Sequence, residues 1–266
     1  MGESSYWIKF LGTAGARFVV MKQLRSSAGT WLRFGNVQAL LDPGPGTLVR
    51  CAASRPRLDP SKLDAIFLSH RHLDHSNDVN VMIEAMTDGG FKQRGHLFAP
   101  ADALDDDPVV LQYVRPFLEE IQVLKEGGTY LFGDVKVRTP VRHEHTAETY
   151  GLIFETPGLP SVAFVVDTRY FDGLVDAYAG VDVLILNVVR YDRRKPQPNI
   201  MHLNVEDAER LISEIQPRVA VLTHFGMTMV RAKPWVVAEE LSQATGVRVG
   251  AASDGMTLDL ESLADF

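Results

Sequence analysis

The residues best suited to chemistry lie close together. In Phe67-Leu68-Ser69-His70-Arg71-His72-Leu73-Asp74-His75, three of the chain's eight histidines fall within six positions, beside an aspartate. An apolar run over residues 65–68 ends just before them. His70 and His72, two apart on an extended segment, then point to the same side and can reach one cation. Once the chain has turned, Asp74 and His75 offer a carboxylate and an imidazole to a second cation nearby. Nitrogen and carboxylate donors in this mixture suit zinc, with iron or manganese as alternatives. The competing reading is a set of ordinary surface or core histidines, and this density of donors argues against it.

The elements that must position these residues are short. Apolar β-type runs at 7–11, 39–42, 65–69, 163–167, 183–187 and 219–223 alternate with helical patterns, and strands apolar throughout are covered on both faces. The clearest helices are 205–215, capped by Asn204, and 234–245, which opens on Pro234 and closes before Gly246. The pattern fits two mixed sheets packed face to face with helices outside, and it fits a doubly wound single sheet as well. A single domain over residues 1–266 is expected. Residues 87–128 are the least regular part, with breaks at Asp105-Asp106-Asp107-Pro108 and Gly127-Gly128. They read either as a partly helical cap or insertion that shapes access to the site, or as a plain connection.

Composition narrows the function classes. Cys51 is the only cysteine, so no internal disulfide or Cys-x-x-Cys thiolate site can form, and any metal must use nitrogen and oxygen ligands. No apolar stretch approaches the roughly 20 residues of a membrane helix. Residues 1–6 lack the basic then apolar character of a secretory signal, so a cytoplasmic location is the default expectation. A formal net charge of -7 argues against a protein that grips long nucleic acids, which requires many Lys and Arg to neutralise phosphates. The cluster Arg190, Arg193, Arg194 and Lys195 makes one local basic patch, and it reads as a solvated loop or as a functional contact.

Residues 70–75 match the pattern His-x-His-x-Asp-His after a β-type run, and here the chain resembles the metallo-β-lactamase superfamily. Phe10-Leu11-Gly12-Thr13-Ala14-Gly15 and Leu41-Asp42-Pro43-Gly44-Pro45-Gly46 look like that superfamily's first two glycine turns. The resemblance implies a four-layer αββα sandwich of two mixed β-sheets with outer helices. It implies two divalent metal ions, most simply zinc: His70, His72 and His145 at one, Asp74, His75 and His224 at the other, and Asp167 between them. Asp42 would brace the histidine loop, a turn-capping role being the alternative. His143 and His145 both precede Tyr150-Gly151-Leu152-Ile153. His145 fits the family spacing better, and His143 would line the pocket or lie at the surface. Asp167, which ends an apolar run, could instead cap a helix beginning near Tyr170.

A water shared by two such metals becomes hydroxide near neutral pH, which implies a hydrolase with Asp74 both binding metal and acting in catalysis. Met201-His202-Leu203-Asn204, followed by Leu222-Thr223-His224-Phe225, resembles the ribonuclease Z and small phosphodiesterase branch. That resemblance implies His202 as proton donor to the leaving oxygen. Arg169 could contact a phosphate or form a surface ion pair. The long basic glycine-rich arm with which ribonuclease Z holds transfer RNA has no counterpart in the sequence, so a small or cyclic phosphodiester is the first expectation. Lactones, thioesters or a ribonuclease Z-like RNA cleavage are the alternatives, since the same ligands serve them all. A diiron redox protein is disfavoured by His72, where the oxygen-reducing branch carries glutamate, and a non-catalytic binding protein by the full set of ligand positions. The small molecule is the expected partner. Related hydrolases form homodimers, and Trp7 or Trp235 are candidates for such an interface.

Overall fold

In the computed structural model, which describes residues 5–27, 29–191 and 200–263, the apolar runs become the strands of two mixed sheets. The first half of the chain supplies β1 (Tyr6–Phe10), β2 (Thr30–Phe34), β3 (Val37–Leu41), β4 (Ala65–Phe67), β5 (His96–Ala99) and β6 (Glu120–Val123) to one sheet. The second half supplies β7 (Gly128–Phe132), β8 (Val135–Thr139), β9 (Leu152–Glu155), β10 (Val162–Val165), β11 (Val183–Arg190), β12 (Leu203–Asn204), β13 (Val219–Thr223) and β14 (Arg248–Ala251) to the other. β15 (Thr257–Asp259) then returns to the first sheet and pairs antiparallel with β1. The strand orders are β15-β1-β2-β3-β4-β5-β6 and β14-β13-β11-β10-β9-β8-β7, with the short β12 beside β11.

Alternation along the strands explains the layering. Ile8, Leu32, Phe67 and Phe98 of the first sheet meet Val137, Phe154, Phe164 and Ile185 of the second in one buried layer, where the Phe67 and Phe154 rings pack edge to face. Residues of the opposite parity face outward. On the first sheet, Leu40, Ile66 and Leu97 are covered by α2 (Thr47–Ala53) and α4 (Val79–Met86), which follow α1 (Ala16–Met21) and a single turn, α3 (Leu73–Ser76), respectively. On the second, Leu184, Leu186 and Leu222 are covered by α5 (Gly173–Tyr178), α6 (Val205–Ile215), α7 (Met227–Ala232) and α8 (Pro234–Thr245). The result is the four-layer αββα sandwich, and the single doubly wound sheet is set aside.

Local chemistry sets the helix ends. Asn204 and Asp207 exchange side-chain-to-backbone hydrogen bonds at the start of α6, which satisfies two otherwise free N–H groups. The break after α8 falls at Gly246, whose φ of +72° suits a residue without a Cβ. Two expectations need correcting. Residues 87–128 are less helical than expected: β5 and β6 extend the first sheet by parallel pairing, with 3-10 turns between them. The helix expected near Tyr170 starts at Gly173, with Asp172 rather than Asp167 at its N-terminus. Arg190 ends β11, whereas Arg193, Arg194 and Lys195 lie outside the described residues. Trp7 is partly buried against the outer layer of the first sheet, and Trp235 is exposed. No helix among the described residues is long and apolar enough to cross a membrane.

Candidate metal centre

One edge of the sandwich gathers the donors. His70 and His72 leave the end of β4, Asp74 and His75 sit on α3, His145 lies on the loop before β9, Asp167 follows β10, His202 precedes β12 and His224 follows β13. They fall into overlapping groups: His70, His72 and His145; Asp74, His75 and His224; and His145, Asp167 and His202. His72 Nδ1 lies 3.1 Å from His145 Nε2, and His75 Nε2 lies 2.9 Å from His224 Nε2. Asp74 Oδ2 stands 3.5 Å from His224 Nε2. Asp167 is central: its Oδ2 is 3.9 Å from His70 Nε2, 3.5 Å from His75 Nε2, 3.9 Å from His145 Nε2 and 3.5 Å from His202 Nδ1. Ligand atoms about 2.0–2.1 Å from a tetrahedral zinc would be about 3.3 Å apart. The spacings of both triads therefore suit a cation in each.

The hydrogen bonds behind the rings fix which nitrogen is free. Asp42 Oδ1 accepts from the Ser69 N–H (2.7 Å), and Oδ2 accepts from the Ser69 hydroxyl (2.6 Å). Having donated to Asp42, that hydroxyl can accept from His70 Nδ1 (3.0 Å). His75 Nδ1 donates to Asp42 Oδ2 (2.9 Å), and His145 Nδ1 donates to the Met201 carbonyl (2.9 Å). Each of these rings, in its neutral form, then carries its proton on Nδ1 and turns the Nε2 lone pair inward, the form that ligates metal. Consistent with this, His70 Nε2 is buried and makes no hydrogen bond. A lone pair left so in a dry interior is costly unless something takes it. The residues present fit a pair of cations.

The backbone is bent to serve the same end. Asp42 and His224 adopt φ of +51° and +58°, a left-handed conformation uncommon for residues with a Cβ and typical of functional loops. Their neighbours leave no spare room. A Cβ on Gly15 would lie 2.1 Å from the His224 carbonyl oxygen, and one on Gly44 would lie 2.1 Å from that of Asp74. These two glycines let the first-sheet turns press directly against the segments bearing the second triad.

Electrostatics follow from crowding. Burial would push the Asp167 carboxyl up, but His224, His202 and His75 around it hold it well below the usual range. Burial would likewise lower His75, yet Asp74, Asp42 and Asp167 hold its imidazole well above the ordinary value. His70 is lowered by burial and by the neighbouring His75. His202 is pushed down to about 4, chiefly by burial. Its side chain is 21% exposed whereas Asp167 beneath it is 2% exposed, so His202, like the partly exposed His72 and Asp74, lies toward the mouth.

Every donor expected of the two triads is thus brought together, with Asp167 between them and Asp42 behind them. The outer expectations fare differently. His143 is not at the surface: it is buried close to Asp167, and its Nε2 meets the Tyr178 hydroxyl at 2.7 Å. It does not share a face with His145 because residues 143–149 fold back rather than extend, the His143 N–H donating to the Thr149 carbonyl. Arg169 forms a surface ion pair with Glu144. Sequence reasoning missed Ser69, which relays Asp42 to His70, and Asn187, whose Nδ2 donates to Asp167 Oδ1 (2.9 Å).

Comparison with known proteins agrees with this geometry. Residues 38–225 match the Beta-lactamase superfamily domain. An uncharacterised protein of Methanocaldococcus jannaschii, MJ1374, is 29% identical over 95% of this chain and 94% of its own. A ribonuclease Z of Thermococcus kodakarensis is 28% identical over 55% of this chain and 45% of its own. Among solved structures, the metallo-β-lactamase fold protein YhfI from Bacillus subtilis superposes with a TM-score of 0.76 at 20% identity, over 95% of this chain and 98% of its own. A diphosphatase of the PhnP family gives 0.68 at 20% identity, over 95% and 96%.

Proposed function

The chain belongs to the β-lactamase superfamily as one of its metal-dependent hydrolases, and on that premise we propose that it is a two-metal phosphodiesterase acting on a small or cyclic phosphodiester. The observation that carries the reading is the pair of donor triads facing a single buried carboxylate oxygen, Asp167 Oδ2, with His202 at the mouth. Divalent cations held there, zinc being the best match to the donors, would lower the pKa of a shared water and stabilise charge on the attacked and departing oxygens. His70, His72 and His145 would hold one ion and Asp74, His75 and His224 the other, each ring fixed by the hydrogen bonds behind it. His202, above Asp167 and within reach of solvent, is placed to give a proton to the leaving oxygen. Support for phosphorus over carbon comes from the sequence relatives, since a ribonuclease Z stands among them.

The test is elemental analysis of the purified protein, paired on the same sample with hydrolysis of bis(p-nitrophenyl) phosphate, a lactone and a thioester. Two ions per chain and phosphodiester turnover, abolished by a chelator and restored by added zinc or manganese, are the expected result. Turnover of the lactone or thioester alone would overturn the phosphodiesterase reading while leaving the site. Absence of metal would overturn both.

A further inference from the structure

We propose that Asn187 is a positioning residue that fixes the Asp167 carboxylate, so that one oxygen, Oδ2, is presented to both donor triads. The inference rests on the two-metal reading and adds a residue that reading does not contain. Asn187 lies on β11, where Val183 and Ile185 face the inter-sheet core. By strand alternation its side chain falls on that same inner face, where an apolar residue would be the simple choice. An amide there is costly to bury without a partner. Its partner is Asp167 Oδ1, at 2.9 Å. A carboxylate can only accept, so the NH2 end of the amide must face it.

The consequence is an asymmetry between the two oxygens of Asp167. Oδ1 is occupied by Asn187 and stands 3.3 Å from His224 Nδ1. Oδ2 is left facing nitrogens of His70 and His145 from one triad, His75 from the other, and His202, all within 3.9 Å. Without the amide, the carboxylate could rotate about χ2, a soft torsion for this side chain, and exchange the two faces. Asn187 also borders a polar cavity of about 50 Å³ shared with Thr13, Ser27, Asp42 and Asp74. A smaller residue would admit water from it to replace the lost donor. Leucine, with the same branched skeleton as asparagine and no donor, is the cleaner probe.

The experiment compares wild type with Asn187→Leu and Asn187→Asp. Zinc affinities are measured by competition with a chromophoric chelator, spin coupling by electron paramagnetic resonance of the manganese-loaded protein, and melting by calorimetry of the metal-free protein. Both variants are expected to bind at least one ion about 10- to 100-fold more weakly, and to replace the coupled two-manganese signal with that of isolated ions. The metal-free melting temperature of Asn187→Leu should not fall. Unchanged affinities with a coupled signal would overturn the proposal. So would a lower metal-free melting temperature with unchanged affinities, which is the mark of a purely structural residue. If Asn187→Leu does not fold, the nearly isosteric Asn187→Asp carries the comparison. Failure of the wild type itself to take up two ions would instead defeat the underlying two-metal reading.

Discussion

Replacing Asp42 by asparagine tests the logic of the site with a change of one atom. Asparagine tolerates the left-handed φ of +51° about as well as aspartate, so the backbone has no reason to move. What changes is the hydrogen bonding, because Asp42 accepts from the Ser69 N–H, the Ser69 hydroxyl and His75 Nδ1. With the new NH2 toward His75, two donors collide. Relief then requires the proton of His75 to move to Nε2, the atom that lies 2.9 Å from His224 Nε2, and a protonated Nε2 cannot ligate a metal. With the amide flipped, the NH2 faces the Ser69 N–H and leaves a buried donor unsatisfied, at about 1–3 kcal/mol. The first arrangement misassembles the second triad, and the second keeps the His75 tautomer but loosens the Ser69 backbone that carries His70. The loss expected for such an outer partner is about 10- to 100-fold in affinity, or about 1.4–2.7 kcal/mol. Zinc titration against a competing chelator should show one site near wild-type affinity and the other weakened by that factor, with turnover falling in step. Two sites of unchanged affinity in Asp42→Asn would refute the argument that Asp42 selects the tautomer.

Three further outcomes follow from the same geometry. His202→Ala should keep both ions but slow phosphodiester hydrolysis by about 100-fold or more, the usual scale for losing a general acid; unchanged turnover in a stopped assay would remove His202 from the reaction. Gly15→Ala drives a Cβ to 2.1 Å from the His224 carbonyl oxygen, and a displacement of about 1 Å at a reacting site costs on the order of 100-fold. Full activity and full metal content in that variant would show that the turn yields more easily than its packing implies. His143, pushed down to about 4 by burial, binds its proton more weakly folded than unfolded. Its contribution to stability is present above the unfolded value of about 6.5 and is lost as pH falls toward its folded value. Between those limits the metal-free melting temperature should drop more steeply with acid in the wild type than in His143→Gln, and equal slopes would contradict the assignment.

The clearest parts of the sequence were those where chemistry and pattern coincide. His70 to His75 can be read directly because their donors are contiguous, whereas Asp167 and His224 each follow an apolar run but take their expected roles from the family resemblance. α6 and α8 match their expected bounds, since Asn204, Pro234 and Gly246 mark their ends in residue types with few other uses. What could not be read depended on the third dimension. The relation of His143 to His145 rests on a turn made by a backbone bond from His143 to Thr149, which a strand-period argument cannot see. β5 and β6 are four-residue strands in a segment punctuated by turn residues, and their pairing partners determine them more than their own sequence does. Ser69 and Asn187 are common residues whose roles come entirely from neighbours distant in the chain.

The donors are split between the two halves of the chain. His72 lies 73 residues from His145, and His75 lies 149 residues from His224. A growing or truncated chain that ends after β6 offers His70, His72, Asp74 and His75 without their partners, and can grip a cation only weakly. Tight retention arrives with the last strands of the second sheet, so the bound ions act as a seal applied at the end of folding. A preparation's metal content would therefore measure the fraction of molecules whose two halves have closed on each other, and a protease nick between the halves should show first as leaking metal.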